Sequence, residues 1–120
     1  MKNELDVLSR VSHPHIIRVL DLLHDDKFFF IVTEQARYGD LSKYLKKRNQ
    51  LGLKPMSEPE VKSIAKQLLY AVNYLHSIGV VHGDIKLSNI LIDSVSENKL
   101  QIKLTGFGSA VICDDSNHKS

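Results

Sequence analysis

Cysteine occurs once in the 120 residues, at Cys113, so no intrachain disulfide can staple the fold, and the chain suits a reducing compartment. No apolar run approaches the ~18 residues that a membrane helix needs, and the first residues lack the apolar core of a signal peptide. A cytoplasmic protein with no membrane contact is therefore expected. Neither sign of charge dominates. Sixteen Lys and Arg against fourteen Asp and Glu leave a formal charge of +2, which makes no case for nucleic-acid binding. His13, His15 and His24 have neither helical i, i+4 pairing nor a neighbouring cysteine, the patterns that a zinc site would use. Internal repeats are absent too. What remains, 42% hydrophobic and 25% charged residues, is the composition of a single globular domain.

Several elements can be read from periodicity and caps. Leu5, Leu8 and Val11 suit the last turns of a helix that Pro14 cannot continue. Residues 16–23 and 27–33 are β-rich runs joined across His24, Asp25 and Asp26, a hairpin signal, with one face of Phe28, Phe29 and Phe30 expected in the core. Asp40 is placed to cap a helix reaching about Arg48, and its run of Lys43, Lys46, Lys47 and Arg48 reads as a solvated face. Ser57 with Glu60 makes a capping box, and Pro59 is tolerated in a first turn. Val61, Ile64, Ala65, Leu68, Leu69, Val72 and Leu75 then follow as one helical apolar stripe, which Gly79 ends as a left-handed cap. Residues 89–92 and 101–104 form a second pair of short strands across residues 93–98, and residues 113–120 a polar, disordered tail.

The chemistry-bearing stretch is His82-Gly83-Asp84-Ile85-Lys86-Leu87-Ser88-Asn89, followed by Gly106-Phe107-Gly108. It resembles the catalytic loop H-R-D-L-x-x-x-N and the metal-binding turn D-F-G of protein kinases, with Gly83 in the place of the Arg and Gly106 in the place of the metal-binding Asp. The resemblance extends along residues 1–112. Glu4 to Ile16 resembles the end of the family's αC helix and its exit turn. Ile31 to Ala36 resembles a strand running into the interlobe hinge with Thr33 as gatekeeper, and residues 67–82 resemble the long helix leading to the catalytic loop.

This resemblance implies an α+β fold, a partial kinase-like domain. It would comprise the end of αC, the family's fourth and fifth strands as a hairpin, the hinge, and the upper part of the helical C-lobe. Residues 1–33 would be the N-lobe remnant and residues 34–112 the hinge and start of the C-lobe. No glycine-rich loop or V-A-I-K lysine precedes Glu4 and no A-P-E follows, so the chain reads as the middle of such a domain. Glu4 would then lack the lysine partner that the family gives it.

The family's activity is ATP-dependent phosphoryl transfer to protein Ser or Thr, with magnesium. Carried over position by position, Asp84 would orient the substrate hydroxyl and Lys86 would lie near the transferred phosphate, as in serine/threonine kinases. Asn89 would offer magnesium a carbonyl oxygen, and Glu34, Ala36, Asp40 and Leu91 would border the nucleotide. His82 would pack on Phe107 and move no proton; Leu8, Val19, His82 and Phe107 match the stacked positions that link the lobes. Gly106 has no oxygen to bridge magnesium to phosphate, and Gly83 removes the guanidinium that would pair with a phosphorylated activation segment. ATP and magnesium are thus the implied cofactors, a protein substrate or docking partner the implied partner, and inactivity as this chain the expectation. The alternatives are an active or atypical kinase completed by flanking sequence and a pseudokinase binding module. The isolated chain is expected to aggregate through its open strand edge.

Overall fold

A computed structural model of the chain describes residues 11–96, 99–107 and 111–112. Glu4, Leu8, Gly108, Cys113 and the tail, each assigned a role or character above, lie outside the described residues. Two antiparallel hairpins flank a pair of helices, an α+β arrangement. The first hairpin joins β1 (Val19–His24) to β2 (Phe29–Thr33). Helices α1 (Leu41–Gln50) and α2 (Glu58–Ser77) follow, then the short β3 (Val80–Val81). A 3-10 turn at Leu87–Asn89 feeds the second hairpin, β4 (Ile90–Ser96) with β5 (Lys99–Leu104). Finally β6 (Val111–Ile112) returns to pair with β3.

The local signals set the helix ends. Asp40 Oδ1 accepts the Lys43 N–H at 2.9 Å and so caps α1. Ser57 and Glu60 close the reciprocal capping box of α2, with Pro59 in its first turn. At the other end Gly79, at φ +78°, turns the chain out of the helix while its N–H donates to the His76 carbonyl.

Strand limits differ from the periodicity. Ile16 bridges to Leu104 of β5, through the Ile17 N–H and the His15 carbonyl, instead of extending β1, and the Asp25 carboxylate takes the Lys27 and Phe28 N–H groups into its turn, so β2 starts at Phe29. Residues 93–96, expected in a turn, extend β4 past a bulge between Ile92 and Ser94. Their polar side chains resemble a loop only because that end of the hairpin is solvated.

The stripe expected along α2 splits. Ile64, Ala71 and Leu75 are buried together with Gln67, whereas Val61 and Leu69 are 51% and 67% exposed. Ile64 joins Leu41, Ile90, Ile92, Leu100 and Ile102 in one cluster; Ala71 and Leu75 join Ile16, Val80, Leu104 and Phe107 in another, and Leu68 packs against both. Gln67 ties the helix to β5. Its Nε2 donates to the Leu100 carbonyl at 2.8 Å, and its Oε1 accepts the Ile102 N–H at 2.9 Å. The β4–β5 hairpin is therefore fixed on α2 by both apolar burial and a satisfied polar clamp.

The first hairpin has much less cover. Ile31 and Val19 reach the core from its inner side, but Leu20, Leu23, Phe28 and Phe30 are half or more exposed. Phe28 and Phe30 share one face of the strand and that face is exposed; the side chain of Phe29, on the other face, lies outside the described residues.

Candidate functional site

Three chain segments converge around Asp84. The loop leaves β3 through His82, whose buried ring meets Phe107 edge-on at 4.9 Å between centroids, the packing expected of these two residues. Its Nδ1 accepts the Asp84 N–H at 3.0 Å, while Nε2 lies 2.7 Å from the Thr105 carbonyl oxygen. An acceptor at Nδ1 and a carbonyl facing Nε2 define the neutral tautomer protonated on Nε2. His82 thus spends both ring nitrogens on holding the Asp84 backbone to the segment before Gly106.

Asn89 continues that bracing. Its Nδ2 donates to the Asp84 carbonyl at 2.8 Å and to Asp84 Oδ2 at 3.2 Å. Both partners are acceptors, so the amide can face them only with its nitrogen, leaving Oδ1 on the other side. Lys86 Nζ stands 3.5 Å from the same Asp84 oxygen, with both side chains well exposed, so this ion pair adds little to stability. Asp84, Lys86 and Asn89 therefore do form one cluster, and its carboxylate is aimed and open to solvent.

Gly106 closes the other side of Asn89. It lies at φ +79°, and a Cβ there would overlap the Cγ, Oδ1 and Nδ2 atoms of Asn89. The Asn89 amide therefore occupies the space that any side chain at 106 would need. Magnesium holds near-octahedral oxygen ligation and is usually bound through one or two carboxylates. Here Gly106 supplies no side-chain oxygen, which leaves Asn89 Oδ1 as the one side-chain oxygen at the positions that the family uses for the metal. The residues present do not fit a dedicated magnesium site. Among the described residues no three His, Cys, Asp or Glu side chains group as a metal site.

The nucleotide-border residues make other contacts. Glu34 Oε1 sits 2.6 Å from Lys103 Nζ and 2.9 Å from the Arg18 N–H, while its own N–H donates to the Arg18 carbonyl. Burial raises the Glu34 carboxyl, but Lys103 and the Arg18 N–H outweigh it and hold the group below the ordinary glutamate range. Its side chain is thus a strut between β5 and the start of β1. The backbone of Ala36 bonds to no other described residue. Asp40 caps α1 and pairs as a single bridge with Leu91, which is half-buried on β4.

Lys103 and Gln67 escaped the sequence reading. Their signal was a polar residue inside an apolar alternation, which says nothing about the distant partner. His15 is another. Its Nδ1 lies 3.1 Å from the Ile102 carbonyl, anchoring the segment before β1 to β5. Burial and the neighbouring His15 push the His13 ring below the ordinary histidine value.

Comparison with known proteins agrees with this architecture. The protein kinase domain profile matches residues 1–120. The chain is 42% identical over 113 residues to a probable serine/threonine-protein kinase, fhkD, of Dictyostelium discoideum, covering 93% of this chain and 14% of that protein. It is 40% identical over 108 residues to the liver/testis isoform of the phosphorylase b kinase gamma catalytic chain of Rattus norvegicus, covering 89% and 24%. Human NUAK family SNF1-like kinase 1 is 35% identical over 108 residues, covering 90% and 15%. The chain spans less than a quarter of the length of each of these relatives. With the hinge, the His82–Asn89 loop and the Phe107 turn in the family's order, the chain belongs to the protein kinase domain family.

Proposed function

We propose that this chain carries the hinge and catalytic-loop region of a serine/threonine protein kinase-like domain in which metal-dependent phosphoryl transfer is lost. The observation that carries the reading is the contact between Gly106 and Asn89. The position that the family gives to a magnesium carboxylate has no side-chain oxygen, and the Asn89 amide lies where a side chain there would begin. Lys86, two residues after Asp84, and the serine/threonine kinases among the relatives support the serine/threonine class. The unpaired backbone of Ala36, two residues after Glu34, supports weak adenine binding at the hinge without phosphate capture. The single cysteine and the ATP chemistry of the family support a cytoplasmic setting.

Thermal-shift titration of the native full-length protein with millimolar ATP, with and without magnesium, tests this. No magnesium-dependent rise in Tm is expected; a clear one overturns the reading. A second reading, an atypical kinase that uses the aimed carboxylate of Asp84, is favoured by the intact Asp84–Lys86–Asn89 cluster. It calls for transfer to a protein substrate that disappears in Asp84→Ala.

A further inference from the structure

Beside the hinge, the turn at residues 37–40 and helix α1 enclose a cleft of about 520 Å³, lined by Arg37, Tyr38, Lys43, Lys47, Arg48 and Leu51 among others. Residues 37–54 hold six of the sixteen basic residues of the chain and only one of its fourteen acidic ones, Asp40, whose carboxylate caps α1. No carboxylate lines the cleft, and among the described residues Arg37, Lys43 and Lys47 have no ion-pair partner. Lys43 and Lys47 stand one turn apart on α1, a spacing at which like charges repel. Arg48 is half-buried. It donates through Nη2 to the Lys54 carbonyl at 2.7 Å and stacks on Tyr44, while its buried Nε has no hydrogen-bond partner.

The walls are fixed in place. The Tyr38 N–H donates to the Ile92 carbonyl at 3.1 Å and the Ile92 N–H to the Gly39 carbonyl at 2.8 Å, holding the turn on β4. At the far end the Leu53 N–H donates to the Arg48 carbonyl, so the Leu51–Leu53 turn folds back on the helix. Leu51, Leu53 and Tyr38 are each half or more exposed beside these cations. The backbone of the cleft is formed in advance, so only the exposed side chains of Arg37, Lys43 and Lys47 need ordering when they meet a ligand of opposite charge.

We propose that this cleft docks an acidic segment of a protein partner, one that presents apolar side chains between its carboxylates. The carboxylates would neutralise Arg37, Lys43 and Lys47, and the apolar residues would cover Leu51 and Leu53. A bare phosphate chain has nothing to set on that floor, and a flat anionic membrane cannot enter a concave cleft. The proposal does not depend on whether the domain transfers phosphate.

The test is fluorescence anisotropy of the native full-length protein with a fluorescein-labelled dodecapeptide of Glu interspersed with Leu. Saturable binding that weakens with salt is expected. Lys43→Glu with Lys47→Glu should weaken it by about tenfold or more, as removal of two charge contacts worth ~0.7 kcal/mol each would give. If circular dichroism shows that this variant has lost helix, Lys43→Gln with Lys47→Gln decides, with a loss of several-fold expected. Leu51→Ser with Leu53→Ser should weaken binding while leaving its salt dependence unchanged. Equal binding of the same peptide with Gln for Glu, affinity untouched by the lysine variants, or capture of phosphatidylserine vesicles or single-stranded DNA in place of the peptide would each overturn the proposal.

Discussion

Substituting Gly106 by Ala, the smallest possible side chain, interrogates the centre of the site. Two costs follow from the structure. A residue with a Cβ at φ +79° carries a left-handed conformational penalty of roughly 1–2 kcal/mol. The new Cβ would also overlap the Asn89 amide, so that side chain must shift, and its bonds to the Asp84 carbonyl and carboxylate go with it. Two hydrogen bonds, half-exposed, contribute roughly 1–2 kcal/mol together. The sum is about 2–4 kcal/mol, which corresponds to amide exchange faster by about 30- to 700-fold if opening is local. Hydrogen-exchange mass spectrometry on the full-length protein reads this directly over residues 84–92, where the Asn89 N–H donates to the Lys86 carbonyl and Thr105 donates to that of Asn89. In an Asn89→Ala background the steric part vanishes, because the three clashing atoms are gone, and only the backbone penalty of Ala at 106 remains. The two substitutions should therefore be non-additive by about 1–2 kcal/mol. Additive effects, or a Gly106→Ala protein that exchanges like wild type, would refute the claim that Asn89 and Gly106 are packed as a pair.

Other expectations can be checked independently. Gly106→Asp should give no kinase activity above background, because the new side chain meets the same amide; transfer that is lost again on Asp84→Ala would overturn this. Glu34→Gln removes one partner of the Lys103 pair, and with both side chains less than a third exposed the expected loss is about 1 kcal/mol, read by chemical denaturation. Since the folded-state pKa of Glu34 is depressed, its contribution is complete above about pH 5 and is lost as pH falls through the folded value. The Gln variant should therefore show a shallower acid loss, and an identical slope would sink the assignment. The chain by itself should form concentration-dependent oligomers in light scattering, because among the described residues no further strand pairs with β1–β2, whose edges lie beside exposed Phe28 and Phe30. Phe28→Ser with Phe30→Ser should shift it toward monomer, and a monodisperse wild-type monomer would contradict the exposure argument.

What could be read along the sequence was whatever depends on neighbours in sequence. Asp40, Ser57, Glu60 and Gly79 act within one turn of themselves, so their caps are visible as spelling. The spacing of His82, Asp84 and Asn89 likewise fits one loop. Contacts that span 33 to 87 residues were not visible: Gln67 on β5, Lys103 on Glu34, His15 on Ile102. The α2 stripe shows the same limit. Val61 and Leu69 have the right period, yet burial goes to the side that the β4–β5 hairpin covers, and periodicity does not say which side that is. The absence of a carboxylate at 106 was legible as a letter. That Asn89 fills the vacated space was not, because it depends on the φ of one residue and the rotamer of another.

That filling explains how the loop can keep its shape without an ion. Asp84 is held through its N–H by His82 and through its carbonyl and carboxylate by Asn89, and the far side of His82 is held by Thr105. Every bond in this ring is made within the chain. A carboxylate at 106 would bring a second negative charge toward Asp84, which has only the exposed Lys86 beside it, a repulsion that a bound metal ion would offset. Glycine removes that charge and admits the Asn89 amide in its place. The retained His82, Asp84 and Asn89 are then accounted for by architecture alone, whether or not phosphate is ever transferred. Activity must therefore be judged from the metal position and not from the number of loop residues that survive.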